Sequence, residues 1–185
     1  MSANMTTVRQ QFTTSMRLLH WLMAAMVLTM LCIGVAMVAS LGDYHRLVSL
    51  HRPLGISILI LVVIRYVNRR FSTLPPFPAT MSSRERQVAH ASEILLYTLL
   101  FVEPLVGWGM LSAARYPIVM FGSLHLFPIL PHSVMLYAAL RRAHTFLAYL
   151  LFLAFVAHFG AILFHTLILQ DGMIGRMLPW RVRAR

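Results

Sequence analysis

The sequence predicts an all-α integral membrane protein built as one four-helix bundle, and three observations carry that prediction. Of its 185 residues 59% are apolar, and the mean hydropathy is +0.74. Only 11% are charged, where a soluble domain carries roughly a quarter. At roughly 20 apolar residues per crossing the length holds about four spans with their loops, which leaves no room for a large soluble module. The expectation is a single membrane domain over residues 1–185.

Long uncharged runs predict helices at about 18–40, 48–68, 90–112 and 143–169. The first run ends on small residues, Ala36 and Ala39, as a cleaved signal segment does, but it is too long for a signal core and reads as a span. Between the second and third helices, residues 69–87 hold Pro75, Pro76 and Pro78 among Ser and Arg, a loop by its breaker residues. Residues 116–140 are apolar, yet Pro117, Gly122, Pro128 and Pro131 cut them into pieces too short to span. They read as an interfacial or re-entrant cap.

The net charge of +11 comes from sixteen arginines, no lysine and five acids. In a soluble protein this balance points to nucleic acid. Here the arginines flank apolar runs, so no nucleic-acid partner is expected and membrane lipid is. Eleven lie on one side: Arg9, Arg17, Arg65, Arg69, Arg70, Arg84, Arg86, Arg176, Arg181, Arg183 and Arg185. Arg46, Arg52, Arg115, Arg141 and Arg142 lie on the other. The positive-inside rule then predicts cytoplasmic termini and proline loop, with a periplasmic cap between helices three and four. The single cysteine, Cys32, sits in an apolar run, so there is neither an internal disulfide nor a C-x-x-C-H haem attachment motif.

Nine histidines matter through their placement. His20 falls at the cytoplasmic start of the first helix, His51 at the outer start of the second, and His144 at the outer start of the fourth. His158 follows His144 by fourteen residues, a rise of about 21 Å and a turn that returns to within about 40° of the same face. By depth His20 pairs with His158 and His51 with His144, an arrangement suited to two haems stacked across a bilayer. Neutral imidazole is a good axial ligand, and two of them leave iron no open position, which favours electron transfer. The residues alone leave three readings: a two-haem electron carrier, a histidine-lined metal or proton pathway, and a structural bundle with interfacial histidines.

Several short runs then carry a resemblance: Leu19-His20-Trp21-Leu22, His51-Arg52-Pro53-Leu54-Gly55-Ile56 continuing to Val63-Ile64-Arg65, Pro75-Pro76-x-Pro78, the His144–His158 pair, and Gln170-Asp171-Gly172 leading to Arg176-Met177-Leu178-Pro179. Together they resemble the bacterial cytochrome b561 family over essentially the whole chain. The resemblance implies a four-helix protein of the bacterial inner membrane with two non-covalent b haems, exchanging electrons with the quinone pool. By position it gives His20 and His158 to the cytoplasmic-side haem and His51 and His144 to the periplasmic-side haem. One branch, the superoxide oxidases, passes electrons from periplasmic superoxide to ubiquinone; the apolar cap segment 120–130 departs from that branch's polar one.

His165, seven residues after His158, is a candidate contact for a quinone carbonyl and a proton relay, with Arg84, Arg86 and His90 expected nearby; an interfacial role is the plain alternative. Arg52 beside His51 is a candidate clamp for a haem propionate, because guanidinium binds carboxylate bidentately; Arg141 and Arg142 are weaker candidates. Gly34, Gly55 and Gly160 are candidate spaces for porphyrin faces. Glu103, mid-helix beside a helix-kinking Pro104, is expected to face the bundle and to be bonded or neutral; the resembled family has an apolar residue there. The expected function is an oxidoreductase moving electrons between quinone and a periplasmic one-electron partner, which superoxide would satisfy. Two alternatives stand beside it: a non-enzymatic haem-carrying anchor of a larger redox complex, and a histidine-lined metal transporter.

Overall fold

The structure, a computed structural model, describes residues 11–78, 81–120 and 122–178. Arg9, Pro179, Arg181, Arg183 and Arg185 lie outside the described residues. Four helices are long and apolar enough to cross a membrane: α1 (Thr14–Ala39), α2 (Tyr44–Arg70), α3 (Ser83–Ala113) and α4 (Val134–Phe164). α4 runs on through a π-helical turn, His165–Leu169, and a 3-10 turn follows at Met173–Arg176.

The helices begin earlier than the hydropathy runs, and at α1, α3 and α4 a polar side chain caps the start. Thr13 accepts from the Met16 amide at α1. At α3, Ser82 and Glu85 form a reciprocal capping box, Ser82 Oγ accepting from the Glu85 amide and Glu85 Oε2 from the Ser82 amide at 2.7 Å. Ser133 accepts from the Leu136 amide, so α4 starts at Val134 rather than near 143. Arg141 and Arg142 are therefore inside the helix, carried on its exposed side with stems along apolar surface. Neither Pro53 nor Pro104 ends its helix.

The cap is partly β rather than wholly irregular. Strands β1 (Ile118–Met120) and β2 (Leu124–Leu126) form an antiparallel hairpin with Val119 opposite His125. Gly122 supplies the turn's positive φ of 82°. Ile118 and Met120 are buried, and β1 packs on α2. The stretch after the hairpin is tied to the end of α3: Trp108 Nε1 donates to the Phe127 carbonyl, Ser112 Oγ accepts from the Ile129 amide, and the Ala113 carbonyl accepts from the Ser133 amide.

At the opposite end both chain ends meet. Phe12 and Gln11 donate to the carbonyls of Arg176 and Gly175, Arg17 to that of Leu178, and Trp21 to that of Met177. Arg176 in turn donates to the Pro76 carbonyl, so the tail is clamped between α1 and the proline loop.

Close packing among the helices runs α1 on α2, α2 on α3 and α3 on α4. One apolar cluster joins Met23 and Val27 of α1 to Ile58, Leu59, Leu61 and Val62 of α2; another joins Leu99 of α3 to Leu151 and Ala154 of α4. α4 packs less closely on α1 and α2, reaching their cluster through Phe155, and His51 and His144 face each other across that side.

Candidate functional site

The earlier helix starts move the histidines inward. His20 is six residues into α1, His51 seven into α2 and His144 ten into α4, so none of the three sits at the helix start that hydropathy alone suggested. His51 and His144 meet at the cap end, with ring centroids 6.1 Å apart and planes at 81°. At the tail end His20 and His158 lie within electrostatic reach of each other. Each pair bridges α4 and a helix on which it does not closely pack.

Three observations fit haem at the histidine pairs, the first two at the cap-end pair. Its two imidazoles stand edge-on with centroids 6.1 Å apart, a spacing at which both could ligate one metal at roughly 2 Å each. The Nδ1 atoms of His51 and His144 are buried without a hydrogen-bond partner, a cost that a site complete in itself would not carry. Gly34 and Gly160 have nothing within 4 Å of where a side chain would begin, while Gly55 is met by the end of Met30 at 3.5 Å. Among the described residues no three His, Cys, Asp or Glu gather to hold an ion directly, and the metal-pathway alternative needs such a group.

A polar ladder surrounds the tail-end pair. Arg69 pairs with Glu93 at 2.6 Å, and one turn along both helices Arg65 Nε donates to the Tyr97 hydroxyl at 2.9 Å. Arg65 Nη1 also lies 2.8 Å from His20 Nδ1. Tyr97 carried no sequence signal; only the register of α2 against α3 reveals it.

His165 begins the π-helical turn, and its Nδ1 lies 2.6 Å from Asp171 Oδ2. A carboxylate only accepts, so Nδ1–H donates and Nε2 is left for another partner. Asp171 Oδ1 also accepts from the Met173 amide at 3.0 Å. Burial works to raise the Asp171 carboxyl, but these bonds and the charge of His165 outweigh it and hold the group below the ordinary carboxylate range. The left-handed conformations of Gln170 and Gly172 fold the chain back to make this contact. Of the groups expected near His165, Arg86 turns back onto the Met81 carbonyl and His90 packs edge-on against Phe77. Glu85 instead lies within electrostatic reach of both His165 and Asp171.

Arg52 Nη1 donates to the Pro117 carbonyl at 3.4 Å, a long bond that links α2 to the cap. Arg141 Nη1 donates to the Tyr137 hydroxyl at 3.1 Å. Glu103 is buried, as a bundle-facing acid should be, with Oε1 3.1 Å from His144 Nδ1. That pair is within ion-pair distance but out of line for a hydrogen bond. Gly107, one turn on, lets the His144 ring rest against the α3 backbone: a Cβ there would stand 3.2 Å from Cε1.

Comparison with known proteins identifies the family. The prokaryotic cytochrome b561 family matches over residues 11–180. The chain is 32% identical over 163 residues to "Cytochrome b561 homolog 2" of Escherichia coli (strain K12), covering 86% of each protein. It is 26% identical over 170 residues to "Probable superoxide oxidase CybB" of Yersinia pestis, covering 87% of this chain and 92% of that one. A match of this extent, on a bundle of four membrane helices, means that the chain belongs to the prokaryotic cytochrome b561 family, and with it to the multi-pass bacterial membrane oxidoreductases that bind haem b and transfer electrons.

Proposed function

We propose that this chain holds two haem b groups, one between His20 and His158 and one between His51 and His144, and carries electrons across the inner membrane between ubiquinone and a periplasmic one-electron partner. Superoxide is the donor that the likeness to a probable superoxide oxidase favours. The observation that carries the reading is the His51–His144 pair, 6.1 Å apart across helices that do not closely pack, with its counterpart at the other end. Haem held this way supplies a one-electron carrier whose potential depends on ligand, burial and hydrogen bonding.

The other residues bind, orient and move protons. Arg52 has guanidinium donors beyond the long bond to Pro117 with which to hold a propionate. His165, fixed by Asp171 through Nδ1, in its protonated form donates Nε2–H to a quinone carbonyl at the tail end of the bundle. Quinone takes up two electrons and two protons; two superoxide anions giving one electron each leave as two molecules of oxygen. An imidazole can deliver a proton as a general acid and recover one from water. The arginine excess puts this end in the cytoplasm and the hairpin cap in the periplasm.

Single replacements test the pairing. His20→Ala and His158→Ala should remove one and the same component of the haem spectrum, and His51→Ala and His144→Ala the other. Loss that cuts across these pairs would overturn the assignment.

A further inference from the structure

Glu103 is an acid inside a membrane helix, where a charge costs several kcal/mol unless paired, and the side chain it faces is His144. Its Oε1 lies 3.1 Å from His144 Nδ1, and its side chain is 11% exposed. Both Nδ1 and the second carboxyl oxygen, Oε2, are buried without a hydrogen-bond partner. Gly107, on the same α3 face one turn later, brings the imidazole against the backbone, so the ring is confined between residues four apart.

From this we infer that Glu103 is the positioning residue of the cap-end haem: a small turn of either side chain brings its carboxylate into line to accept from His144 Nδ1–H, which would hold Nε2 toward the iron and lower the haem's reduction potential. The inference rests on the reading that His144 is an axial ligand. A histidine bound to a metal through one nitrogen commonly donates its other N–H to a carboxylate, which fixes the tautomer and ring orientation and makes the ligand more basic. A more basic ligand favours ferric over ferrous iron. His51, whose Nδ1 faces no such carboxyl among the described residues, is the unmodified member of the pair. The same fold thus gives the two haems different surroundings: a carboxyl beside His144 at one end, a guanidinium beside His20 at the other.

The test uses the intact haem-loaded protein in lipid nanodiscs, with a redox titration followed optically and the ferric low-spin EPR spectrum. Glu103→Gln and Glu103→Leu should leave haem content unchanged and shift one component toward easier reduction by about tenfold in its equilibrium, about 59 mV for one electron. That component should be the one His144→Ala removes, with its EPR signal shifted too, and Glu103→Asp should restore both values toward the parent. A merely structural role would lower haem content or stability while leaving the potential of the retained haem in place. Unchanged potentials and EPR in fully loaded Glu103→Gln would overturn the inference. Failure of His144→Ala to remove any haem would instead overturn the ligand reading beneath it.

Discussion

Arg65 places Nη1 2.8 Å from Nδ1 of His20 while its Nε donates to the Tyr97 hydroxyl. One guanidinium thus joins α1, α2 and α3 at His20. Its positive charge favours the electron-rich state of anything bound there. Arg65→Leu is expected to lower the potential of the component that His20→Ala removes, by about tenfold in the reduction equilibrium or about 59 mV, and to leave the other component unmoved. Optical redox titration reads both at once, and equal shifts in the two would deny Arg65 a local role.

His165 and Asp171 give a second prediction. His165→Phe should keep both haem spectra and slow electron exchange with quinone analogues by about tenfold or more, the scale of a lost general acid. Stopped-flow reduction of a fully loaded variant measures this. Unchanged kinetics would leave His165 an interfacial residue and send the search for quinone to the cap around 120–130.

A pH dependence follows from the lowered Asp171 carboxyl. Because its folded value lies below its unfolded one, its contribution to holding the tail is complete above the ordinary carboxylate range. It is lost as pH falls from there through the folded value. Hydrogen-exchange protection over residues 170–178, measured against the intrinsic rate at each pH, should therefore be high at neutral pH and fall in acid. Asp171→Asn should lower it at neutral pH and flatten the dependence; tail protection as strong as in the parent would contradict the contact.

Sidedness is open to a direct check. With eleven arginines set against five, a reporter fused after residue 185 should be active in the cytoplasm. Activity confined to the periplasm would exchange the sides of the two histidine pairs and place the quinone site at the outer face.

What the sequence made legible follows from which forces act locally. Four long apolar runs are a bulk property, so the spans were readable, as were histidine depths along a helix of known rise. Helix starts were less so, because Arg141 and Arg142 read as a boundary although a helix tolerates long basic side chains on its outer face. The Ser82–Glu85 box was present in the sequence as S-x-x-E and would have placed the start of α3. The hairpin also had its signal, β-branched Ile118 and Val119 before a glycine turn, outweighed by the prolines around it. Tyr97 beneath Arg65 and His144 beside Glu103 depend on the register between helices. A single helix's pattern shows that Glu103 faces inward and does not show which side chain it meets.

The central claim is that two histidine pairs hold two haems, and a pyridine haemochrome assay on the protein extracted from membranes tests it most directly. With iron and protein quantified in the same sample, the account predicts two b-type haems per chain, released by acid-acetone because nothing attaches them covalently. One haem per chain, or none, would contradict it.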